Sequence, residues 1–121
     1  MLVTISVSVG DVVDKLTILN IKAKRIKKHS AEIRAEIKML KKSIKEIKIP
    51  IEVEAELENV NSLLWDVEDK LRMHERMLKF DDEFIDLARK VYVLNDRRAE
   101  IKKEINLFSG SDIVEFKSYN K

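Results

Sequence analysis

Apolar residues recur along this chain at two intervals, and the change from one to the other divides it. Over Leu2–Val9 they alternate, with Val3, Ile5, Val7 and Val9 on one side and Thr4, Ser6 and Ser8 on the other. A period of two with β-branched residues predicts a short strand. From Val12 onward the spacing becomes three and four. A first seam reads Val12, Leu16, Leu19, Ala23 and Ile26, and it continues in phase through Ile33, Ile37, Leu40, Ile44 and Ile47. A second reads Val53, Leu57, Val60, Leu64, Val67, Leu71, His74 and Leu78. The third, within Asp82–Phe108, reads Phe84, Leu87, Val91, Leu94, Arg98, Ile101, Ile105 and Phe108. These are heptad seams of long amphipathic helices.

Local signals set the boundaries. Ser8 with Asp11 three residues on forms a capping box that starts the first helix. Between residues 10 and 48 two readings stand: one continuous helix, or a turn at His29–Ser30 with Ser30 capping a second helix. Pro50 ends that segment, Lys79–Asp81 makes a tight link, Asp81 or Asp82 caps the last helix, and Gly110 terminates it. Short links make sequential helices antiparallel. A strand needs a partner edge, and the tail from Asp112 to Tyr119, with Val114 and Phe116, is the candidate, within the chain or across a subunit interface. The fold class is therefore all-α: an antiparallel helical bundle of three to four long helices with coiled-coil-like seams and short terminal β-strands, in a single domain over residues 1–121.

The first helix carries a second apolar face. Ile18 and Ile21 project away from the Val12–Ile26 seam and flank Asp14, Thr17 and Arg25. Such a helix is the centre of a bundle or is clasped by another subunit. This predicts a homo-oligomer, a dimer first, since two-fold closure is the commonest solution.

Composition narrows the class further. Charged residues make up 38% of the chain, with two glycines and one proline, as expected of long helices. The lack of cysteine removes disulfide and thiolate chemistry and fits a cytoplasmic protein. No apolar run is long enough to span a membrane, and the start has no secretory pattern. Charge is segregated: from Lys22 to Lys48 eleven Lys or Arg oppose three Glu, and from Glu52 to Asp86 twelve acids oppose four bases. Packed antiparallel across Pro50, these segments would neutralise each other. That expectation, with few aromatics for base stacking, argues against a nucleic-acid partner.

Three polar residues interrupt apolar seams or faces: Asp14, His74 and Arg98. A guanidinium stays charged, so a buried Arg98 requires a carboxylate or an anionic ligand. Glu68, about one turn off level in the antiparallel pairing, and Asp14 are the two candidate partners. Each residue also has a purely structural reading. An interior Arg–carboxylate pair fixes register, an interior histidine is satisfied by its neighbours, and Trp65 beside a seam belongs to the core. No metal site is expected, since His29 and His74 lie on different segments and no Glu-x-x-His pair exists. No cofactor is implied: there is no glycine-rich phosphate loop and no nucleophile–base signature. Glu68–Asp69 followed by Asp81–Asp82 has some likeness to helical magnesium-dependent nucleotide pyrophosphohydrolases, but their two Glu-x-x-Glu/Asp pairs are missing.

The stretches from Val9 to Lys22, Leu64 to Asp69 and Asn95 to Ala99 with Lys103 and Asn106, and from Glu115 to Tyr119, resemble a family of small helical proteins of unknown function found in bacteria and their phages, sometimes near sugar-transfer genes. The resemblance spans nearly the whole chain and is weakest over Lys24–Lys48. It implies the helical fold and supplies no activity. It also makes the polar residues a shared set, which favours a ligand site over accidental ion pairs. The expected site is a polar pocket lined by Asp14, Lys15, Glu68, Asp69, Asn95, Asp96, Arg97, Arg98 and Lys103. Its ligand would be a small anion such as a nucleotide or sugar phosphate, with arginines gripping phosphate and carboxylates holding hydroxyls. In a phage, sequestering a host signalling nucleotide would be its purpose. Two alternatives are an enzyme acting on a nucleotide or nucleotide-sugar, and a structural adaptor whose polar core sets oligomeric register.

Overall fold

The computed structural model describes residues 1–111, and within them every regular element is a helix: α1 Val9–Arg25, α2 Ser30–Ser43, α3 Ile51–Arg76 and α4 Asp82–Ser109. α3 and α4 form a long antiparallel hairpin of 26 and 28 residues, about 40 Å from end to end. The shorter α1 lies across one half of it. α2 packs on α1 and on no other helix.

α1 is thus the central helix, and its two apolar faces are covered within the chain. One face contributes Val13 to a core with Leu57, Val60, Leu64, Ile101 and Ile105, flanked by Val9, Val53 and Leu94. Val13 is fully buried although it lies off the Val12–Ile26 seam. Lys15 meets Glu36 of α2 on the other side of α1. The turn at His29–Ser30 exists: α1 ends at Arg25, and α2 begins at Ser30. The cap of α2 is not Ser30 but His29, in left-handed backbone at φ 62° with no side-chain capping bond.

The capping signals elsewhere have physical counterparts. The Ser8 hydroxyl accepts from the Asp11 amide at 3.1 Å. Asp81 accepts from the Phe84 amide at 3.0 Å and starts α4. Gly110, at φ 68°, ends α4 with its amide on the Asn106 carbonyl, a conformation that costs glycine little.

Three expectations need correcting. Residues 1–8 form no strand, and Leu2, Val3, Ile5 and Val7 are exposed. A strand without a partner edge leaves its backbone groups unpaired, and no described segment offers that edge. The proposed partner, Asp112–Tyr119, lies outside the described residues. The seams also end earlier than their periodicity suggests: Phe108 is 67% exposed because it lies opposite the start of α3 at Ile51, where the antiparallel partner has run out. Leu78 is 74% exposed because it belongs to the turn, not to α3, with φ 53°. Finally, the basic and acidic segments form ion pairs only at the end of α1, where Lys24 pairs with Glu58 and Arg25 with Asp66. The basic α2 does not pack on α3.

Candidate functional site

The polar residues that interrupt the seams gather in two places, and the larger is where α1 crosses α3 and α4. Asp14, on α1, points into the hairpin with a side chain only 8% exposed. A carboxylate there needs several donors. Arg98 of α4 supplies two, Nε to Oδ1 at 2.8 Å and Nη2 to Oδ2 at 2.5 Å, a bidentate fork. Asn61 of α3 supplies a third, Nδ2 to Oδ1 at 2.9 Å, and also donates to the Thr17 hydroxyl at 2.8 Å. The hydroxyl in turn donates a hydrogen bond to the Asp14 carbonyl at 2.7 Å. Asn95, one turn before Arg98, accepts from Nη1 at 3.4 Å. Among the described residues no buried side-chain nitrogen or oxygen lacks a partner.

Arg98 therefore pairs with Asp14 rather than Glu68. The pairing register of α3 with α4 favoured Glu68, but α1 lays its carboxylate directly over Arg98, while Glu68 is exposed. Of the nine expected site residues, the structure brings together Asp14, Asn95 and Arg98. Lys15 points away to Glu36 at 2.9 Å. Glu68 and Asp69 are exposed on α3, and Asp96 is half-buried on α4. Arg97 turns to the surface, between Glu56 of α3 and Glu100. The Glu56 hydrogen bond, followed by that of Glu100, holds its pKa above the usual guanidinium value. Lys103 is exposed one turn further along α4. Asn61 and Thr17 complete the cluster. Thr17 lies on the second apolar face of α1, whereas Asn61 heads a stripe of α3 that continues through Trp65, Glu68 and Arg72.

A second polar junction, at the start of α1, escaped the periodicity altogether. The first amides of a helix have no partner inside it. Here Ser111 accepts from the Val9 amide at 3.3 Å, Asn106 from Gly10 at 2.7 Å, and Ser8 from Asp11. Lys102 pairs with the Asp11 carboxylate at 2.9 Å. Burial pushes the Asp11 carboxyl up, but the bond and charge of Lys102 and the Ser8 hydroxyl and amide outweigh it, leaving the group below its ordinary value. Gly10 is required by close approach: a Cβ there would stand 2.6 Å from the Lys102 carbonyl oxygen and 2.9 Å from Asn106 Oδ1.

His74 is an interior residue at the hairpin turn. Its Nδ1 lies 2.8 Å from the Lys79 carbonyl, so this nitrogen carries the proton, and the Lys79 amide returns a bond to the His74 carbonyl at 2.9 Å. Trp65 is half-buried, with the Arg25 guanidinium 5.8 Å from its ring centre. Among the described residues no three His, Asp or Glu side chains gather to hold a metal ion, and no helix is long and apolar enough to cross a membrane.

Across residues 1–121 the chain matches the model of a family of unknown function, DUF6165, and it belongs to that family. No curated protein and no solved structure matches it.

Proposed function

We propose that this family member is a structural interaction protein, and that its polar core serves as a register lock rather than as a reaction centre. One observation carries this reading: the Arg98 fork is already engaged by a carboxylate of the same chain. Groups expected to grip an anion hold one another, and Glu68, Asp69, Arg97 and Lys15 point elsewhere. A bidentate pair joining α1 to α4, with Asn61 from α3 completing the carboxylate, tolerates only one rotational and axial setting of the three helices. Polar groups buried for specificity work in this way in helical assemblies.

The expectation of a homo-oligomer now rests on different residues. Beyond the reach of α1 the hairpin continues as two helices, and its tip exposes Met73, Met77, Phe80 and Ile85. A second copy seated there would cover them. Light scattering at micromolar concentration should show a dimer, and a monomer would remove this part of the proposal.

One observation favours a second reading. The Arg98 side chain is 30% exposed, so a small anion approaching from solvent would meet a guanidinium at the mouth of the cluster. The ligand would be a nucleotide or sugar phosphate, and for a phage-encoded member the purpose would be sequestration. An enzyme acting on nucleotide-sugars would require in addition that Glu68 or Asp69 take part. A thermal-shift screen of phosphate, nucleotides and sugar phosphates separates these. The register lock predicts no shift with any of them. A site predicts about 2.7 kcal/mol of stabilisation at a hundredfold excess over Kd, abolished by Arg98→Met.

A further inference from the structure

The structure leaves the bases of residues 27–48 without the acidic partner that the sequence predicts. α2 rests on α1 alone, through Ile33 and the half-buried Ile37 and Leu40, while Ile44, past its end, reaches the core shared by the other three helices. On α2, Arg34, Lys38 and Lys41 recur at intervals of four and three, so they fall within about 60° of one another around the helix and span about 10 Å. Lys42 lies beside the row and Lys45 follows in the turn just past the end of α2; all five are exposed. Lys27 and Lys28 extend the surface at one end and Lys48 at the other. None of these eight bases has an ion-pair partner among the described residues, and the only acids interspersed with them and exposed are Glu32 and Glu46. Glu36 is taken by Lys15.

We infer that this face of α2 is a docking surface for the phosphate backbone of a double-stranded nucleic acid. The charge is uncompensated, and a straight row of cations about one helical turn apart suits a regular line of phosphates. The alternative of a bilayer surface needs several large apolar side chains free to enter it, and α2 exposes one, Met39, with Ile33 buried and Ile37 and Leu40 half-buried. The helix has no aromatic residue for stacking, which disfavours a single strand and confines recognition to the backbone, without sequence preference. The inference is independent of the Asp14–Arg98 cluster, which lies on the other side of α1.

Fluorescence anisotropy of a labelled duplex of about 25 base pairs tests it, titrated with the full chain at about 50 mM and about 200 mM salt. Four bases on phosphates give a salt slope of about −3.6, so affinity should fall roughly 150-fold between the two salts. Lys38→Glu with Lys41→Glu, both at exposed positions, should weaken binding at least about tenfold at the lower salt and flatten the slope by about 1.8. Lys70→Glu with Arg89→Glu makes the same change in net charge on the hairpin and should bind nearly as the parent does. Equal loss in the two double variants would reduce the effect to net charge and overturn the assignment. So would binding to phosphatidylserine vesicles without binding to the duplex, or no anisotropy change at the lower salt.

Discussion

Removing the charge of Arg98 leaves the Asp14 carboxylate with one hydrogen bond out of three. The fork contributes bonds at 2.8 and 2.5 Å, and Asn61 alone remains at 2.9 Å. Bonds to charged groups are each worth about 1.5–3 kcal/mol, and breaking a buried pair from one side costs about 3–5 kcal/mol. Arg98 reaches solvent on one edge, so water would solvate part of the stranded carboxylate and the cost should fall near about 3 kcal/mol. Asp14→Leu leaves Arg98 without its carboxylate but closer to water, and should cost less, about 2 kcal/mol. Changing both, Arg98→Met with Asp14→Leu, removes two charges together and fills the space. Asn61 then keeps the Thr17 hydroxyl as acceptor for one of its two N–H donors, and the other loses its partner. With that donor unpaired, the double variant should lie about 1–2 kcal/mol below the parent, a coupling of roughly 3–4 kcal/mol. Urea unfolding followed by circular dichroism measures all four species, with a common m-value as the condition for comparing them. Single costs that add within about 0.5 kcal/mol would refute the register lock, because independent sites behave that way.

Three further outcomes follow from geometry elsewhere. Gly10→Ala would ordinarily strengthen a helix by up to about 1 kcal/mol, but the 2.6 Å approach to the Lys102 carbonyl reverses the sign; a melting curve should show a loss of about 1–3 kcal/mol. Leu78→Gly should raise the melting temperature, since it relieves left-handed backbone worth about 1–2 kcal/mol at an exposed position, less the backbone entropy that glycine adds to the unfolded chain; a lower value would show that Leu78 packs in solution. Asp11 has a folded pKa below its unfolded one, so its contribution is complete above the unfolded value and is lost as pH falls through the folded value. The urea midpoint of the parent should therefore drop more than that of Asp11→Asn between about pH 5 and about pH 2, and parallel curves would remove the Lys102–Asp11 contribution.

What was legible in the sequence had a local cause. A capping hydroxyl at Ser8, a carboxylate at Asp81 and a left-handed glycine at Gly110 act within a few residues of themselves, and each terminates a helix where its chemistry requires. The two apolar faces of α1 likewise left two readings, the centre of a bundle or a helix clasped by another subunit, and the packing of α2, α3 and α4 around it makes it the centre. What failed depended on neighbours distant in sequence. The alternating stretch at the start had a strand's pattern and lacked an edge among the described residues. Phe108 kept phase with a seam whose partner helix had not yet begun. Glu68 lost Arg98 to Asp14 because the pairing of α3 with α4 says nothing of where α1 lies above them. The same reasoning bears on the charge segregation. Opposite net charges on sequential segments were read as mutual neutralisation, which holds only if those segments touch. Once α2 is seen to rest on α1 alone, its row of bases ceases to be internal bookkeeping and becomes a surface with unused charge. The basic face of α2 is then open to a partner, whereas the polar cluster is satisfied by its own side chains.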